Sequence, residues 1–520
     1  MSPISDVKPE VVLRLDGITK RFGPLLANDA IGFELRRGEI VALLGENGAG
    51  KTTLMNILFG HYVADAGRIT VFDQPLPPGS PKAAINAGIG MVHQHFTLAE
   101  NLTVLDNITL GTEPLWKLGS NRGAARRRIG DLARSFGLEV DPDAIVTGLS
   151  VGECQRVEIL KALYRDARIL ILDEPTAVLT PQESAALFAT LNKLVGEGLS
   201  IIFISHKLYE VVAVSRRVLV LRGGKLIAER QTADTTRGEL AELMVGRPIP
   251  EPKVEPQPHG APQLEFHGLS LLGAKGEKLL DAVDFTLHAG EIVGIAGVSG
   301  NGQSALADLV GGLHRPAAGE MRLFGEAVTA ASPREMVARG VARIPEDRHA
   351  QGLIGDMSIA ENVIAERYYS PEFCRRGFLD WRKARAFAAE IIAAYEVKCP
   401  SPNATARLLS GGNMQKLILG RVLANDPRLI LANQPTRGLD IGAVAYVHGR
   451  LLEARREGAA ILLISEDLDE ILQLADRVVV MYRGRVSPAL PRGDVTIQDL
   501  GLMMAGHGFE PRDEKASHAA

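Results

Sequence analysis

The sequence Gly45-Glu46-Asn47-Gly48-Ala49-Gly50-Lys51-Thr52 decides the fold of this 520-residue chain. It follows an apolar run at 40–44 and precedes a helix-like segment at 52–59, which predicts a strand, a loop and a helix. Glycines let backbone N–H groups converge on a phosphate, a lysine offers a positive charge to its oxygens, and a threonine hydroxyl can ligate Mg²⁺. An ordinary glycine-rich turn is the alternative, and the flanking strand and helix argue against it. We therefore expect a phosphate-binding loop here, with Thr53 as part of it.

The pattern occurs a second time, with substitutions, as Gly297-Val298-Ser299-Gly300-Asn301-Gly302-Gln303-Ser304. The two loops are 252 residues apart, whereas Asp173 and Asn433 are 260 apart, as are the stretches that begin at Leu149 and Leu409. So long a period indicates tandem domains and excludes a solenoid of short repeats. The difference between the two offsets predicts a net insertion of about eight residues in the second copy.

A proline-rich segment separates the copies. Six of the fifteen residues from 248 to 262 are prolines, which excludes a helix or a central strand there. We expect the following division: a first domain at 1–247, a linker at 248–262, a second domain at 263–508 and a flexible tail at 509–520.

Each domain is predicted to be α/β. Continuous apolar runs such as 169–172 and 429–431 are typical of parallel strands covered on both faces. The amphipathic helical texture at 97–165 and again at 356–425 predicts a helical subdomain inserted into each α/β core.

Composition excludes several classes of function. A net charge of −4 offers no basic surface for nucleic acid or an anionic membrane. Charged residues early in the chain exclude the apolar core of a signal peptide, and no apolar stretch reaches the roughly 18 residues of a membrane span. The three cysteines form no Cys-x-x-Cys pair, which indicates reduced thiols in a cytosolic compartment.

Two further motifs accompany the loops. The apolar run at 169–172 ends in Asp173 and Glu174, where one carboxylate can hold Mg²⁺ and the next can polarise a water for in-line attack on a phosphate. The stretches Leu149-Ser150-Val151-Gly152-Glu153 and Leu409-Ser410-Gly411-Gly412-Asn413 each open a helix, whose N-terminal N–H groups can bind an anion. Alone, either motif is typical of an ordinary strand end or helix cap. Beside two phosphate loops they indicate nucleotide chemistry.

Together these motifs resemble the nucleotide-binding domains of ABC transporters, fused here in tandem over nearly the whole chain. The resemblance implies two P-loop NTPase domains, each with a RecA-like α/β core, an antiparallel β subdomain and a helical subdomain. It implies ATP and Mg²⁺ as cofactors. It also implies a head-to-tail sandwich within one chain, in which each ATP lies between the loop of one half and the signature stretch of the other. The signature stretches are the two helix-opening sequences at 149–153 and 409–413.

The resemblance also assigns roles to individual residues. Phe22 lies where an aromatic ring stacks on adenine, Gln94 where a glutamine contacts metal or water, and His206 where a histidine contacts the γ-phosphate. The implied catalytic residues are Lys51, Gln94, Glu174 and His206, and the implied Mg²⁺ ligands are Thr52, Gln94 and Asp173. The implied nucleotide-binding residues are Phe22, Gly45, Glu46, Asn47, Gly48, Ala49, Gly50, Lys51, Thr52, Thr53, Asp173, Ser410, Gly411, Gly412 and Asp440.

The two copies depart from the pattern in different places. The second copy has Gln303 for Lys51, Asn433 and Gln434 for the two carboxylates, Glu346 for Gln94, Glu466 for His206 and Ala274 for Phe22. The first copy has Val151 where the second has Gly411, and Thr180 where the second has Asp440. In a head-to-tail sandwich all these departures belong to one composite site. We therefore expect one competent and one degenerate ATPase site in each chain.

Without membrane spans, a transport role requires separate permeases. Tandem fused domains of this kind resemble the ATP-binding subunits of bacterial importers for simple sugars and nucleosides, and the motifs here are most similar to the nucleoside branch. That resemblance implies two permease subunits, an extracytoplasmic substrate-binding lipoprotein and a position at the cytoplasmic face of the inner membrane. It implies no nucleic-acid partner.

Three alternatives remain open. A simple sugar such as ribose, xylose or galactose could replace the nucleoside. A tandem ABC protein could instead act on ribosomes or DNA, although proteins of that kind have two consensus sites and this chain is expected to have one. A regulator that binds nucleotide without hydrolysis is the third, and Glu174 and His206 argue against it.

Overall fold

The computed structural model describes residues 10–93, 96–112, 121–176, 179, 181–205, 207–248, 254–328 and 330–509. The chain divides into two compact units, Met1–Ile249 and Pro250–Ala520. Among the described residues, none of the helices is both long and apolar enough to cross a bilayer.

The first unit begins with an antiparallel sheet of four strands in the order β2-β1-β4-β5. Its strands are β1 (Val11–Phe22), β2 (Leu25–Arg36), β4 (Ala66–Val71) and β5 (Gln74–Pro75). Strands β1 and β2 alternate between buried and exposed positions over much of their length, as expected of a sheet with one face on the core. The antiparallel β subdomain that the family resemblance implied is therefore confirmed.

A second sheet of six strands forms the centre of this unit, in the order β10-β9-β3-β8-β7-β6. It comprises β3 (Ile40–Gly45), β6 (Ile89–Val92), β7 (Ile169–Asp173), β8 (Ser200–Ile204), β9 (Arg217–Arg222) and β10 (Lys225–Gln231). All pairs are parallel except β9 with β10. Every residue of β3, β7 and β8 is buried, because helices and the antiparallel sheet cover both faces.

The helices of the first unit fall into two groups. The helical subdomain expected at 97–165 contains α3 (Val104–Thr109), α4 (Arg122–Phe136) and α5 (Val151–Tyr164). The remaining helices belong to the α/β core: α1 (Lys51–Phe59), α2 (Pro81–Asn86), α6 (Pro181–Gly196), α7 (Leu208–Val214) and α8 (Arg237–Val245).

The second unit repeats this architecture. Its antiparallel sheet has the order β12-β11-β14-β15, from β11 (Pro262–Leu272), β12 (Lys278–His288), β14 (Ala318–Leu323) and β15 (Glu326–Ala327). Its main sheet has the order β16-β19-β20-β13-β21-β22, with β23 also paired to β21. These strands are β13 (Ile292–Ala296), β16 (Val341–Ile344), β19 (Leu429–Asn433), β20 (Ala460–Ser465), β21 (Arg477–Tyr482), β22 (Arg485–Val486) and β23 (Leu490–Pro491).

The helices of the second unit are α9 (Gln303–Val310), α10 (Pro333–Ala338), α11 (Ile359–Ile364), α12 (Trp381–Ala394), α13 (Gly411–Leu423), α14 (Ile441–Arg456), α15 (Leu468–Leu474) and α16 (Ile497–Met504). Two features have no described counterpart in the first unit. One is a π-helical turn at Arg348–Gly352, and the other is a short hairpin of β17 (Cys374–Arg375) and β18 (Phe378–Leu379). The π-helical turn follows Glu346, the counterpart of Gln94, in the stretch where the sequence predicts an insertion, whereas the first-copy residues that correspond to the hairpin lie outside the described residues.

Candidate nucleotide site

The glycine-rich loop of the first unit leaves β3 and enters α1, as its sequence predicts. Gly48 and Gly50 have φ of 81° and 98°, a left-handed conformation that favours glycine. A Cβ at Gly50 would lie 2.3 Å from the Ala27 carbonyl oxygen and 2.6 Å from Asn28 Nδ2. Asn28 is fully buried and donates from Nδ2 to the Gly50 carbonyl at 3.1 Å, so β2 fixes the loop from behind.

Lys51 lies inside this loop. Its Nζ donates to the carbonyl oxygens of Gly45, at 2.6 Å, and Glu46, at 3.0 Å, and the residue is only 7% exposed. Burial lowers the pKa of the Lys51 ammonium, while the carboxylates of Glu174, Asp173 and Glu46 oppose that shift. Lys51 and the carboxylates at the end of β7 are therefore close enough to interact electrostatically.

Asp173 ends β7 and Glu174 follows it directly, and β8 lies between this strand and β3. The carboxyl ends of parallel strands form one edge of the sheet, where open α/β sheets bind ligands. Burial, reinforced by the Glu174 carboxylate, raises the pKa of Asp173 to about 6 against the opposing charge of Lys51. Two carboxylates facing one ammonium, beside the hydroxyl-bearing Thr52, form an oxygen donor set that fits Mg²⁺.

Phe22 ends β1 and is 42% exposed. Its ring packs edge-on against Tyr62, with the ring centroids 5.6 Å apart, and Lys20 Nζ lies 5.5 Å from the Phe22 centroid. Tyr62, which is 41% exposed, was not predicted from the sequence. Its position just after the helix of the phosphate loop could have indicated it as a site residue, but its contact with Phe22 is visible only in the fold.

Several predicted residues lie outside the described residues: Gln94, Thr180 and His206.

Glu210, which the sequence analysis missed, anchors the described residues that precede Thr180 and His206. This fully buried carboxylate accepts hydrogen bonds from Thr176 Oγ1 at 2.6 Å and Ser205 Oγ at 2.8 Å. Thr176 follows Glu174 by two residues, and Ser205 ends the stretch that leads from β8. Glu210 therefore joins the ends of β7 and β8.

The loop of the second unit keeps the shape of the first but lacks its charge. Gly300 and Gly302 have φ of 87° and 113°. Gln303 is 8% exposed, donates from Nε2 to the Val298 carbonyl at 2.9 Å and accepts from the Asn301 N–H at 3.1 Å. The amide thus makes the hydrogen bonds of the loop but supplies no cation to a phosphate.

The strand end of the second unit is also conserved in shape alone. Asn433 is buried at the end of β19, at the position that corresponds to Asp173 at the end of β7.

Glu346, the counterpart of Gln94, contacts Arg437 through a salt bridge between its Oε1 and the arginine Nη1. Arg348 Nη2 in turn donates to the Arg437 carbonyl. Within this unit, one ion pair occupies the position that corresponds to Gln94, a predicted catalytic residue of the first copy.

The signature stretches of the two units differ in the hydrogen bonds at the start of their helices. In the first unit, the Ser150 hydroxyl donates to Glu153 Oε2 at 2.7 Å, and the Ser150 N–H donates to the same oxygen at 2.8 Å. These bonds hold the pKa of the Glu153 carboxyl below its usual range, so a negative charge lies at the start of α5. In the second unit, Asn413 Nδ2 donates to Ser410 Oγ at 2.8 Å, which leaves the start of α13 neutral.

The residues that the second unit is expected to contribute lie near one another. A Cβ at Gly412 would meet the Ala443 side chain at 3.5 Å, and Asp440 Oδ1 accepts from the Ala443 N–H at 2.8 Å. The structure therefore brings Gly412 and Asp440 to adjacent helix N-termini, those of α13 and α14. A Cβ at Gly411 would lie 3.7 Å from the Arg348 guanidinium.

The fold and the first loop define a P-loop nucleoside triphosphatase. Comparison with known families makes this more specific, since the ABC transporter family model matches residues 28–177 and 280–437, more than half of the chain. The chain belongs to the ABC transporter family, whose domains bind ATP and hydrolyse it.

Three curated relatives match nearly the whole chain. The nucleoside import ATP-binding protein NupA of Lactococcus lactis subsp. cremoris (strain MG1363) is 44% identical and covers 96% of this chain and 98% of its own. The glucose import ATP-binding protein TsgD13 of Haloferax volcanii is 44% identical and covers 96% of each. The guanosine import ATP-binding protein NupO of Bacillus subtilis (strain 168) is 45% identical and covers 96% of this chain and 98% of its own.

One solved structure is similar in fold over most of the chain. In the crystal structure of the complex of archaeal ribosomal stalk protein aP1 and the archaeal ribosome recycling factor aABCE1, the matching chain gives a TM-score of 0.62. The match covers 91% of this chain and 90% of that one, at 18% identity. At that identity the likeness shows the fold alone.

Proposed function

We propose that this chain is the ATP-hydrolysing subunit of an importer that carries nucleosides through separate permease subunits. The observation that carries the proposal is the electrostatic coupling of buried Lys51 with Asp173 and Glu174 in the first unit. Relatives of nearly equal length whose names specify nucleoside or guanosine import support the substrate class.

In the proposed reaction, Lys51 and the N–H groups of the loop bind the β- and γ-phosphates. Thr52, Asp173 and Gln94 would hold Mg²⁺, which would supply positive charge to neutralise the phosphates. Glu174 orients and polarises the attacking water, and His206 contacts the γ-phosphate. Phe22 offers its ring to adenine, and Tyr62 supports that ring from the side.

We infer that the competent site is completed by the second unit, in a head-to-tail sandwich within one chain. Ser410, Gly411 and Gly412 would face the γ-phosphate with helix N–H groups. Asp440 would contribute from the stretch Arg437-Gly438-Leu439-Asp440, which resembles the D-loop of the family. The opposite site would combine the uncharged Gln303 with a signature whose serine is bound to Glu153. The charges of the described residues thus favour one competent and one degenerate site.

The proposed partners are two transmembrane permease subunits and an extracytoplasmic substrate-binding protein. Import ATP-binding proteins act with permeases, so the chain would lie peripherally at the cytoplasmic face of the inner membrane. ATP-driven closure would move permease helices docked beside the loops that follow Gln94 and Glu346. The substrate would not touch this subunit.

A simple sugar is the second candidate, and the glucose import relative supports it directly. The motifs of the second copy favour the nucleoside. Subunits of the sugar type more often have an Asp-Glu pair in their second half, where this chain has Asn433 and Gln434. A ribosomal role is supported only by likeness of fold.

The test is uptake in cells that lack this chain and receive it from a plasmid as wild type, Glu174→Gln or Gln434→Ala. We expect wild type and Gln434→Ala to restore uptake of labelled guanosine and uridine, and Glu174→Gln to fail. Uptake of labelled glucose and ribose should be the same in all strains. If wild type restores sugar uptake and Glu174→Gln does not, the proposed substrate becomes a sugar. Co-purification with ribosomal RNA in place of permeases would overturn both the nucleoside and the sugar proposal.

A further inference from the structure

A cluster of two imidazoles and one carboxylate lies in the second unit, away from the nucleotide loop. His259, His288 and Glu291 each offer one ligand atom, and these atoms lie within 4.8 Å of one another. His288 Nδ1 is 3.0 Å from Glu291 Oε2, and His259 Nδ1 is 3.7 Å from Glu291 Oε1. The proposed ATPase chemistry uses none of the three.

The carboxylate is held rigidly by the fold. Glu291 is fully buried between β12 and β13, and its Oε2 accepts from the His288 N–H at 2.8 Å. Arg477 Nε donates to Oε1 and Arg477 Nη2 donates to the Thr286 carbonyl. Burial opposes ionisation, but these hydrogen bonds outweigh it and hold the pKa of Glu291 below its usual range. An ionised carboxylate has about four lone-pair positions, so these contacts leave acceptor capacity.

The linker brings the second imidazole to this carboxylate. The Gly260 N–H donates to the Ala289 carbonyl at 2.9 Å, and the Ala289 N–H donates to the Ala261 carbonyl at 3.0 Å. On the other side of His259, Gln257 Nε2 donates to the Gly290 carbonyl at 2.6 Å. Hydrogen bonds on both sides therefore place His259 over the turn that carries His288, and the two rings stack with centroids 6.1 Å apart.

The first unit serves as an internal comparison. Its Glu39 repeats the carboxylate, since Arg217 Nε donates to it at 2.9 Å and the Arg36 N–H at 3.0 Å. Arg36 occupies the position of His288, however, and its guanidinium cannot ligate a metal. The arginine–carboxylate pair is thus common to both copies, whereas the imidazoles are added only in the second.

We propose that His259, His288 and Glu291 bind a divalent transition metal of the Zn²⁺ class, which fastens the linker to the second unit. Two imidazoles and a carboxylate are a ligand set that suits zinc. Tetrahedral geometry with bonds of about 2.0–2.1 Å sets neighbouring ligand atoms roughly 3.3 Å apart, and the three ligand atoms here already lie within 4.8 Å of one another. Both imidazoles are about one-third exposed, with side-chain exposures of 35% and 29%, so water can fill the fourth position. Arg477 orients the carboxylate from outside the ligand set, a common arrangement.

The experiment is calorimetric titration of ZnCl₂ into the full chain, after chelator treatment and without nucleotide. The variants are His259→Gln, His288→Gln and the control His267→Gln, an exposed histidine on β11 whose ring faces Glu265. We expect wild type and His267→Gln to bind one high-affinity equivalent. Each of the other two variants should bind about tenfold or more weaker.

Co²⁺ absorption gives a second measurement that does not depend on heat. Wild type and His267→Gln should give the intense visible bands of a tetrahedral site, and His259→Gln and His288→Gln should not. Equal Zn²⁺ affinity in all four proteins would overturn the proposal, because the binding would then belong to other histidines. Absence of wild-type binding tighter than about 100 µM would overturn it as well, leaving a hydrogen-bonded network only.

Discussion

Glu174 and Gln434 share one backbone conformation at equivalent positions of the two units. Each has φ of 48°, and each donates its N–H to an isoleucine carbonyl in the adjacent strand, Ile204 at 2.9 Å and Ile464 at 2.8 Å. A left-handed conformation is unfavourable for residues other than glycine, by about 1–2 kcal/mol. The second unit retains this strained turn although its side chain is no longer a carboxylate. The turn therefore belongs to the fold and forms with or without a carboxylate at this position.

Glu174→Gln should abolish ATP hydrolysis while the structure stays intact, because Gln434 demonstrates that an amide fits this turn. Loss of a general base typically lowers turnover on the order of 10²- to 10⁴-fold. The measurement is phosphate release by the transport complex or the isolated chain. Gln434→Ala is the matched change in the second unit and should leave turnover within about twofold. Equal losses in both variants would contradict a single competent site.

Lys51→Gln would give the first loop the chemistry of the second. Gln303 bonds the Val298 carbonyl, the counterpart of the Glu46 carbonyl that Lys51 bonds, so the variant should fold. Removing a charged hydrogen-bond donor costs about 1.5–3 kcal/mol, so we expect MgATP affinity to fall about 10- to 100-fold, as measured by calorimetry. The reverse change, Gln303→Lys, should not raise turnover, because Asn433 and Gln434 supply no carboxylates. A gain of activity in that variant would be inconsistent with the assignment.

Local patterns predicted the parts of the site that are continuous in sequence. The β3 strand, its loop and α1 form one segment, and Asp173 ends an apolar run, so both could be recognised without tertiary information. Contacts between distant segments could not be predicted. Asn28 reaches the Gly50 carbonyl from β2, and Glu210 joins the segments that follow two strands, although neither residue belongs to a recognisable motif. Tyr62 meets Phe22 only because β1 and α1 end near each other.

The raised pKa of Asp173 predicts a pH-dependent stability in the metal-free, nucleotide-free protein. With a folded-state pKa of about 6 and an ordinary value of 3.8, the folded state binds more protons between these pH values. Stability from this residue is therefore present below about pH 4 and is lost as the pH rises to about 6. The full loss is about 3 kcal/mol, since each pKa unit corresponds to about 1.4 kcal/mol.

Asp173→Asn removes this titration and should become more stable than wild type as the pH rises from 4 to 6.5. Hydrogen exchange of β3 and β7 peptides in a urea series, with chelator present, measures the stability of the first unit. Asn433→Asp is the complementary control, because it introduces a buried carboxylate into β19 and should create a similar pH dependence in the second unit. A stability difference between wild type and Asp173→Asn that does not change with pH would show that Asp173 ionises normally.

The signature stretches give a test of the composite site that changes no residue of the first unit's loop. Asn413→Glu should reproduce in the second unit the Ser150–Glu153 arrangement, in which the serine hydroxyl donates to a carboxylate at the helix N-terminus. In the sandwich that carboxylate would lie near the γ-phosphate and repel it, so we expect hydrolysis to fall at least about tenfold, or about 1.4 kcal/mol in barrier. Glu153→Asn, the matched change in the first unit, should leave turnover unchanged, because in the proposed sandwich its helix would belong to the degenerate site. If Glu153→Asn altered turnover and Asn413→Glu did not, each signature would serve its own half, and the head-to-tail sandwich would be wrong.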